Sequence, residues 1–326
     1  MADIGASREV VRENPYDDLL RQRKKSKKKA RIKRLIPLYM MMLPGLIYLV
    51  CNNYLPLFGI LFAFKKIDFS VGIFKSPWCG FDNFEFLFKT KDAWIMIRNT
   101  LGYNIAWLIL GTIIAVFIAL LMNEIASMPV AKAIQPIICF PSMISAVILS
   151  YLVYAFLSNN NGFINTVLLD GNGINWYASP QYWPIILTIV HFWQVSGQSS
   201  IIYMASIGGI DKGLYEAAKI DGAGRLKQIR YITLPLIKSM VILMTLMSIG
   251  KIFNSDFGLF YQVTLNQGML ISTTQTIDTY VYRALMEMNN IGMSSAASVF
   301  QAVLGFLLVL ISNAVVSAVD SESALF

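Results

Sequence analysis

Long apolar runs alternate with short charged stretches along this chain of 326 residues. Six runs reach about twenty residues or more, the helix length needed to cross a hydrocarbon core of about 30 Å. They fall at roughly 36–60, 97–122, 132–157, 182–206, 237–260 and 295–318. The pattern predicts an all-α polytopic membrane protein with six transmembrane helices and both ends on one side of the membrane. Pro37, Pro44 and Pro56 interrupt the first run, and a proline leaves backbone groups that neighbours must satisfy, so a kink or break is expected near Asn52–Pro56. Gly102 and Gly111 in the second run, and Pro136 and Pro141 in the third, permit close or bent packing.

Polar groups inside the later runs are candidates for function. The fourth run carries His191, Trp193, Gln194, Ser196, Gln198 and Ser199, with Gln194 and Gln198 four apart on one helical face. Polar groups are costly in hydrocarbon, so this face is expected to look at other helices or at a wet cavity. Hydrogen bonding between helices and a place in a transport path both fit it. The fifth run contains Lys251 and Asp256, each the other's nearest candidate partner, readable as a functional pair or as a structural ion pair. Gln301 and Asn313 lie in the sixth.

Composition narrows the class. With 56% hydrophobic and 14% charged residues, and a mean hydropathy of +0.57, the chain is too apolar for a soluble protein. The net charge of +8 is concentrated in residues 1–34, which hold twelve basic and five acidic side chains. The block Arg21–Arg34 directly precedes an apolar run, as a juxtamembrane anchor touching anionic lipid does. No aromatic residue interleaves it and no recognition fold follows, so a nucleic-acid partner is not indicated. The apolar run is too long for a cleavable signal.

Loop charges set the orientation. Residues 1–34, the turn near Asn123–Lys132 and the loop Asp211–Lys238 hold twelve, one and six Lys or Arg, against five, none and one in the loops near 65–92, 158–181 and 261–293. The positive-inside rule then places both termini and the Asp211 loop in the cytoplasm. Cys51, Cys79 and Cys139 lack paired spacing, and a single histidine leaves metal or triad chemistry without partners. There is no GxxxxGK[ST] loop to hold ATP, so any energy must come from a partner.

The Asp211–Pro235 loop, DKGLYEAAKIDGAGRLKQIRYITLP, predicts two short helices. The first, Gly213–Ile220, is stopped at Gly222, which can take the left-handed conformation of a helix C-terminus; the second, from about Arg225 to Ile232, is closed by Pro235. Glu216-Ala217-Ala218, then Asp221-Gly222-Ala223, then Leu234-Pro235, all within one loop, resemble the EAA signature of bacterial ATP-binding-cassette importer permeases. The GFDNFEFLF run at Gly80, Arg98-Asn99-Thr100, Gly292 and Ala296-Ala297 resemble the carbohydrate-importer branch.

The resemblance, to type I importer permeases of the maltose-type carbohydrate uptake family, covers Leu35 to Val319. It implies a MetI-like fold: a basic N-terminal segment (1–34), a first transmembrane helix (35–64), a transmembrane core (97–319) with a coupling loop (207–238), and a tail (320–326). It also implies a non-enzymatic subunit of the bacterial cytoplasmic membrane. Its implied partners are a second homologous permease, two ATPases that bind ATP and magnesium, and an extracellular solute-binding lipoprotein. The coupling residues carried over are Glu216, Ala217, Ala218, Asp221, Gly222, Ala223, Leu234 and Pro235; Lys212 stands where many relatives have Pro. Because aromatic rings stack on sugar faces and amides satisfy sugar hydroxyls, Trp193, Gln194, Gln198, Asn254, Asp256 and Tyr261 are candidates for the substrate path. The rivals are a permease of the same fold for another solute, and an ion-coupled carrier using Lys251 and Asp256.

Overall fold

The computed structural model describes Ile32 and residues 35–125, 130–170 and 173–319. The basic block expected to anchor the N-terminus and the tail after Val319 lie outside the described residues. Among the described residues the regular secondary structure is helical, apart from one isolated antiparallel bridge between Lys65 and Trp78. It divides into two compact units, residues 1–59 and 60–326.

The apolar run Leu35–Phe64, α1, begins in the first unit. It leaves α geometry at a π turn, Val50–Tyr54, and continues as a 3-10 helix from Leu55. Pro56, which withholds an N–H from the helical ladder, lies at this change of geometry, where a kink or break was expected; the run nevertheless continues as one helical span of 30 residues. The amide of Asn52 donates to the Tyr48 carbonyl at 3.0 Å. Met41 and Tyr48 are among many exposed side chains on α1, a surface suited to lipid.

The second unit contains α2 (Lys91–Glu124), α3 (Ala131–Cys139), α4 (Ala146–Leu157), α5 (Trp183–Gly208), α6 (Lys212–Ile220), α7 (Arg225–Gln228), α8 (Lys238–Ile249), α9 (Ile277–Met286) and α10 (Ile291–Val319). At 34 residues, α2 spans about 50 Å, longer than the hydrocarbon core. It starts where the Thr90 hydroxyl accepts from the Ala93 N–H at 3.2 Å, with Asp92 at the positive end of the helix dipole. Helices α2 and α5 form the most extensive pair in the unit. Three buried clusters join the helices: one around Met96, Ile277 and Ala296, one around Trp107, Trp183 and Phe260, and one around Ala119, Tyr203 and Ile237.

Among the described residues four single helices are long and apolar enough to cross a membrane, and the total is six if each of two bent pairs is one span. The third and fifth spans are therefore bent, the third in the way that Pro136 and Pro141 permit and the fifth where no bend was expected. Residues 132–157 form α3 and α4, turned through 95° at a 3-10 turn, Phe140–Met143. Pro141 cannot donate within a helix, and Ser145 caps α4 by accepting from the Ile148 N–H at 3.4 Å. From α5, the Gln194 amide donates to the Ile144 carbonyl freed by the bend, at 3.2 Å.

The fifth run, expected to be helical over 237–260, stops at Ile249. The segment after it is irregular as far as Asp256, and three helices satisfy its backbone. The Asn104 amide of α2 donates to the Ile252 and Asn254 carbonyls at 2.8 and 3.0 Å. On α10, Gln301 donates to the Phe253 carbonyl at 2.8 Å and to the Asn254 side chain at 2.7 Å. From α9, the Asp278 carboxylate accepts from the Ser255 N–H at 2.6 Å and its hydroxyl at 2.8 Å. Irregular backbone at membrane depth is tolerated when protein buries it or when it lines a cavity, and both apply here. Replacing buried Gln301 by Leu leaves the Phe253 carbonyl unpaired and is expected to cost about 1–3 kcal/mol, read as a lower Tm of the purified protein.

Two short patterns that stand far apart in the sequence meet in the fold. Asn83, inside the GFDNFEFLF run, donates to the Ala63 and Lys65 carbonyls at 3.0 and 2.9 Å and lies against Gly292, at the start of α10. Phe64, Phe81 and Phe84 form a ring cluster with centroids 5.3–5.6 Å apart. Buried Lys65 donates to the Phe74 carbonyl at 2.6 Å and lies over the Trp78 ring.

Candidate functional site

The loop between α5 and α8 is a braced elbow. Asp211 opens α6 by accepting from the Gly213 N–H at 2.9 Å. The helix closes in a Schellman motif: the Ala223 N–H donates to the Ala218 carbonyl at 2.8 Å and the Gly222 N–H to the Lys219 carbonyl at 3.1 Å. That geometry requires Gly222 at φ +75°. The buried amide of Gln228 donates to the Ala223 carbonyl at 2.8 Å, and the Tyr215 and Thr233 hydroxyls share a hydrogen bond of 2.9 Å. Arg225 pairs with Glu124 at the end of α2, at 2.8 Å. Turn, second segment and membrane helix are thereby tied together.

The second helix of the elbow is less regular than expected. After α7 the chain makes a π turn, Ile229–Thr233, then a short segment, Leu234–Leu236, with Pro235 in its first turn. Proline is accommodated there because a first-turn N–H has no helical partner to lose. Of the residues carried over by resemblance, Glu216, Ala217, Asp221, Gly222, Leu234 and Pro235 are exposed, while Ala218 and Ala223 are half-buried. The Glu216 carboxylate has no hydrogen-bond or ion-pair partner among the described residues. Beside it, Ile220 and Leu226 are 87% and 82% exposed. An unpaired carboxylate flanked by apolar side chains on a stiff support is a surface built for contact.

A cavity of about 550 Å³ lies between α2, α5, α8 and the irregular segment after α8. Its aromatic wall is Trp107, stacked on His191 with centroids 3.8 Å apart and planes 10° from parallel. The Trp107 indole donates to the Thr188 hydroxyl at 3.0 Å, which fixes the ring. Nδ1 of His191 is buried and has no hydrogen-bond partner among the described residues. Among the described residues no three His, Cys, Asp or Glu are grouped to hold a metal.

The structure brings some candidates together and separates others. Asn254 and Asp256 line this cavity, and so does Lys251. The face α5 turns to it carries His191, Ser196 and Ser199, while Trp193, Gln194 and Gln198 lie off that face. Gln194 serves the α3–α4 bend, and Trp193 and Gln198 are exposed. Tyr261 stacks on Phe257 at 4.9 Å and meets Tyr282 edge-on at 4.9 Å, away from the cavity. The anticipated ion pair between Lys251 and Asp256 does not form: with the helix broken, they are not one turn apart, and Asp256 instead accepts from the Leu259 N–H at 3.0 Å. Arg283 donates to the Asn266 side chain at 2.9 Å; its burial lowers the guanidinium from its usual value, with Glu287 opposing.

Sequence reasoning missed Asn104, Trp107 and Asp278. Asn104 carries a signal, a lone amide in the middle of an apolar run; Asp278, in a polar loop, carries none.

This arrangement has counterparts among known proteins. Residues 111–322 match the family described as binding-protein-dependent transport system inner membrane component. The chain is 34% identical over 300 residues to the polygalacturonan/rhamnogalacturonan transport system permease protein YteP of Bacillus subtilis (strain 168), covering 89% of this chain and 91% of that one. It is similar to a chain in the crystal structure of a bacterial ABC transporter involved in the import of the acidic polysaccharide alginate, with TM-score 0.81, 31% identity, and 90% and 99% of the two chains covered. A further structure of the alginate transporter, in complex with a periplasmic protein bound to alginate pentasaccharide, matches with TM-score 0.79 and 31% identity over 89% and 97% of the two chains.

Proposed function

The chain belongs to the family of binding-protein-dependent transport system inner membrane components, and from that premise we propose that it is one permease subunit of an ATP-driven importer of oligosaccharides or polysaccharide fragments. Its partners are a second, homologous permease that completes the pathway, two ATPases that bind ATP and magnesium, and an external solute-binding protein. Both termini lie in the cytoplasm, on the side of the Glu216 elbow.

The observation that carries this reading is the elbow. Glu216 has no partner among the described residues and Ile220 and Leu226 are exposed, yet the turn beneath them is held by the Gln228, Tyr215 and Arg225 contacts. A rigid, contact-ready surface joined to α2 and α8 transmits motion of a docked ATPase to the helices around the cavity. One of the similar proteins is named for the transport of polygalacturonan and rhamnogalacturonan, and a similar structure is of a transporter that imports the acidic polysaccharide alginate. The cavity wall suits sugars, with the half-buried His191 ring, backed by the buried Trp107, beside the polar groups of Asn254 and Ser199 for hydroxyls.

The test is purification of the assembled complex, reconstitution in liposomes with its binding protein, and ATP hydrolysis across a panel of glycans, peptides and amino acids. Hydrolysis stimulated by a glycan is expected. Stimulation by peptides or amino acids alone replaces the substrate class, and uptake under an ion gradient without ATP removes the coupling assignment.

A further inference from the structure

We infer that Lys251 reads carboxylate groups on the transported carbohydrate, so that the pathway favours acidic fragments over neutral ones of the same backbone; this rests on the carbohydrate reading above. Lys251 is an exposed residue on the wall of the 550 Å³ cavity. Its ammonium makes no hydrogen bond or ion pair among the described residues. The acid that shares its wall, Asp256, accepts from the Leu259 N–H through one oxygen and forms no ion pair with Lys251. The acid on the far side of the broken segment, Asp278, lies off this cavity and is occupied by Ser255 and Gln301. The rest of the wall is aromatic, amide, hydroxyl and aliphatic.

A cation inside a membrane protein is expensive unless something opposes its charge. The plain explanation is the end of α8: Lys251 lies two residues beyond Ile249, where helix carbonyls concentrate a partial negative charge. That dipole offsets a fraction of one charge and leaves the ammonium with donors to spare. A ligand carboxylate arriving in the cavity supplies the rest. Lysine suits a ligand in transit, because its point charge on a flexible stem follows a moving carboxylate, whereas an arginine fork holds one geometry.

The inference is tested on the assembled importer in detergent by direct binding of tri-galacturonate and of its methyl ester, which keeps the backbone and removes the charge. The unaltered complex is expected to bind the acid at least about tenfold more tightly than the ester, with raised salt weakening the acid alone. Lys251→Gln is expected to remove that preference by weakening the acid and sparing the ester, and Lys251→Arg to keep most of it. Equal losses for acid and ester in Lys251→Gln assign the residue to the helix end and overturn the inference. So does an unaltered complex without a preference, or one whose preference ignores salt, and both of these readings stand even when no variant folds. A complex that binds the ester or neutral oligosaccharides equally well leaves the carbohydrate function in place, whereas one that binds no carbohydrate overturns that function as well.

Discussion

Replacing Gly222 by Val is expected to cut ATP-driven uptake at least about tenfold while the protein still reaches the membrane in normal amount. Gly222 has φ +75°, and a Cβ built there meets nothing within 4 Å, so the penalty is purely one of backbone conformation. A left-handed residue with a side chain costs roughly 1–2 kcal/mol, and a β-branched one more. That is small against the stability of the whole fold but large for one exposed turn, where about 1.4 kcal/mol changes a population tenfold. The turn relaxes, the Ala223 and Gly222 hydrogen bonds onto α6 are lost, and α6 no longer holds its angle to the Arg225 segment. The series Gly, Asn, Ala, Val at this position is expected to follow the cost of the left-handed conformation in order, because Asn tolerates it better than Ala. Uptake that is unchanged in the Val variant removes the elbow from the coupling path. Glu216→Lys supplies a separate check, since Glu216 has no partner to lose: uptake is expected to fall with no change in Tm.

Gly197→Leu is expected to abolish assembly of the protein, and Gly197→Ala to lower its Tm and its yield from membranes. A Cβ at this position lies 1.9 Å from the Ile138 carbonyl oxygen, which is backbone and cannot swing away. Accommodating it means separating α5 from α3, at a cost of about 1–3 kcal/mol or more. The Gln194 bond to Ile144, one turn away on α5, is pulled apart by the same separation. Gly208→Ala, on the same helix with nothing within 4 Å of its Cβ, is the control and is expected to leave Tm unchanged. A Gly197→Ala protein as stable as the Gly208→Ala protein contradicts the close contact.

Much of the elbow is legible in the order of its residues. Gly222 as a helix stop and the change of helix geometry at Pro56 follow from local chemistry within a few residues. The cavity is less legible. Trp193, Gln194 and Gln198 read as one polar stretch, yet α5 points Gln194 at the bend after Pro141 and turns His191, Ser196 and Ser199 to the cavity. Lys251 and Asp256 pair on paper because they are five residues apart in an expected helix, a spacing that loses its meaning where the helix ends at Ile249.

The amino-acid sequence alone is enough for the helical, membrane-spanning class of the protein, the placing of its apolar runs and the helix-stop chemistry of the elbow. Each of these depends on composition or on residues within one or two turns of one another. Where two crossings break, which polar groups heal the breaks and which face a cavity are settled in three dimensions. The bonds responsible join Asn104 to Ile252, Gln194 to Ile144 and Gln301 to Phe253, residues about fifty or more apart. A buried amide goes wherever folding leaves a carbonyl unpaired, and that place is set by how the helices pack against one another.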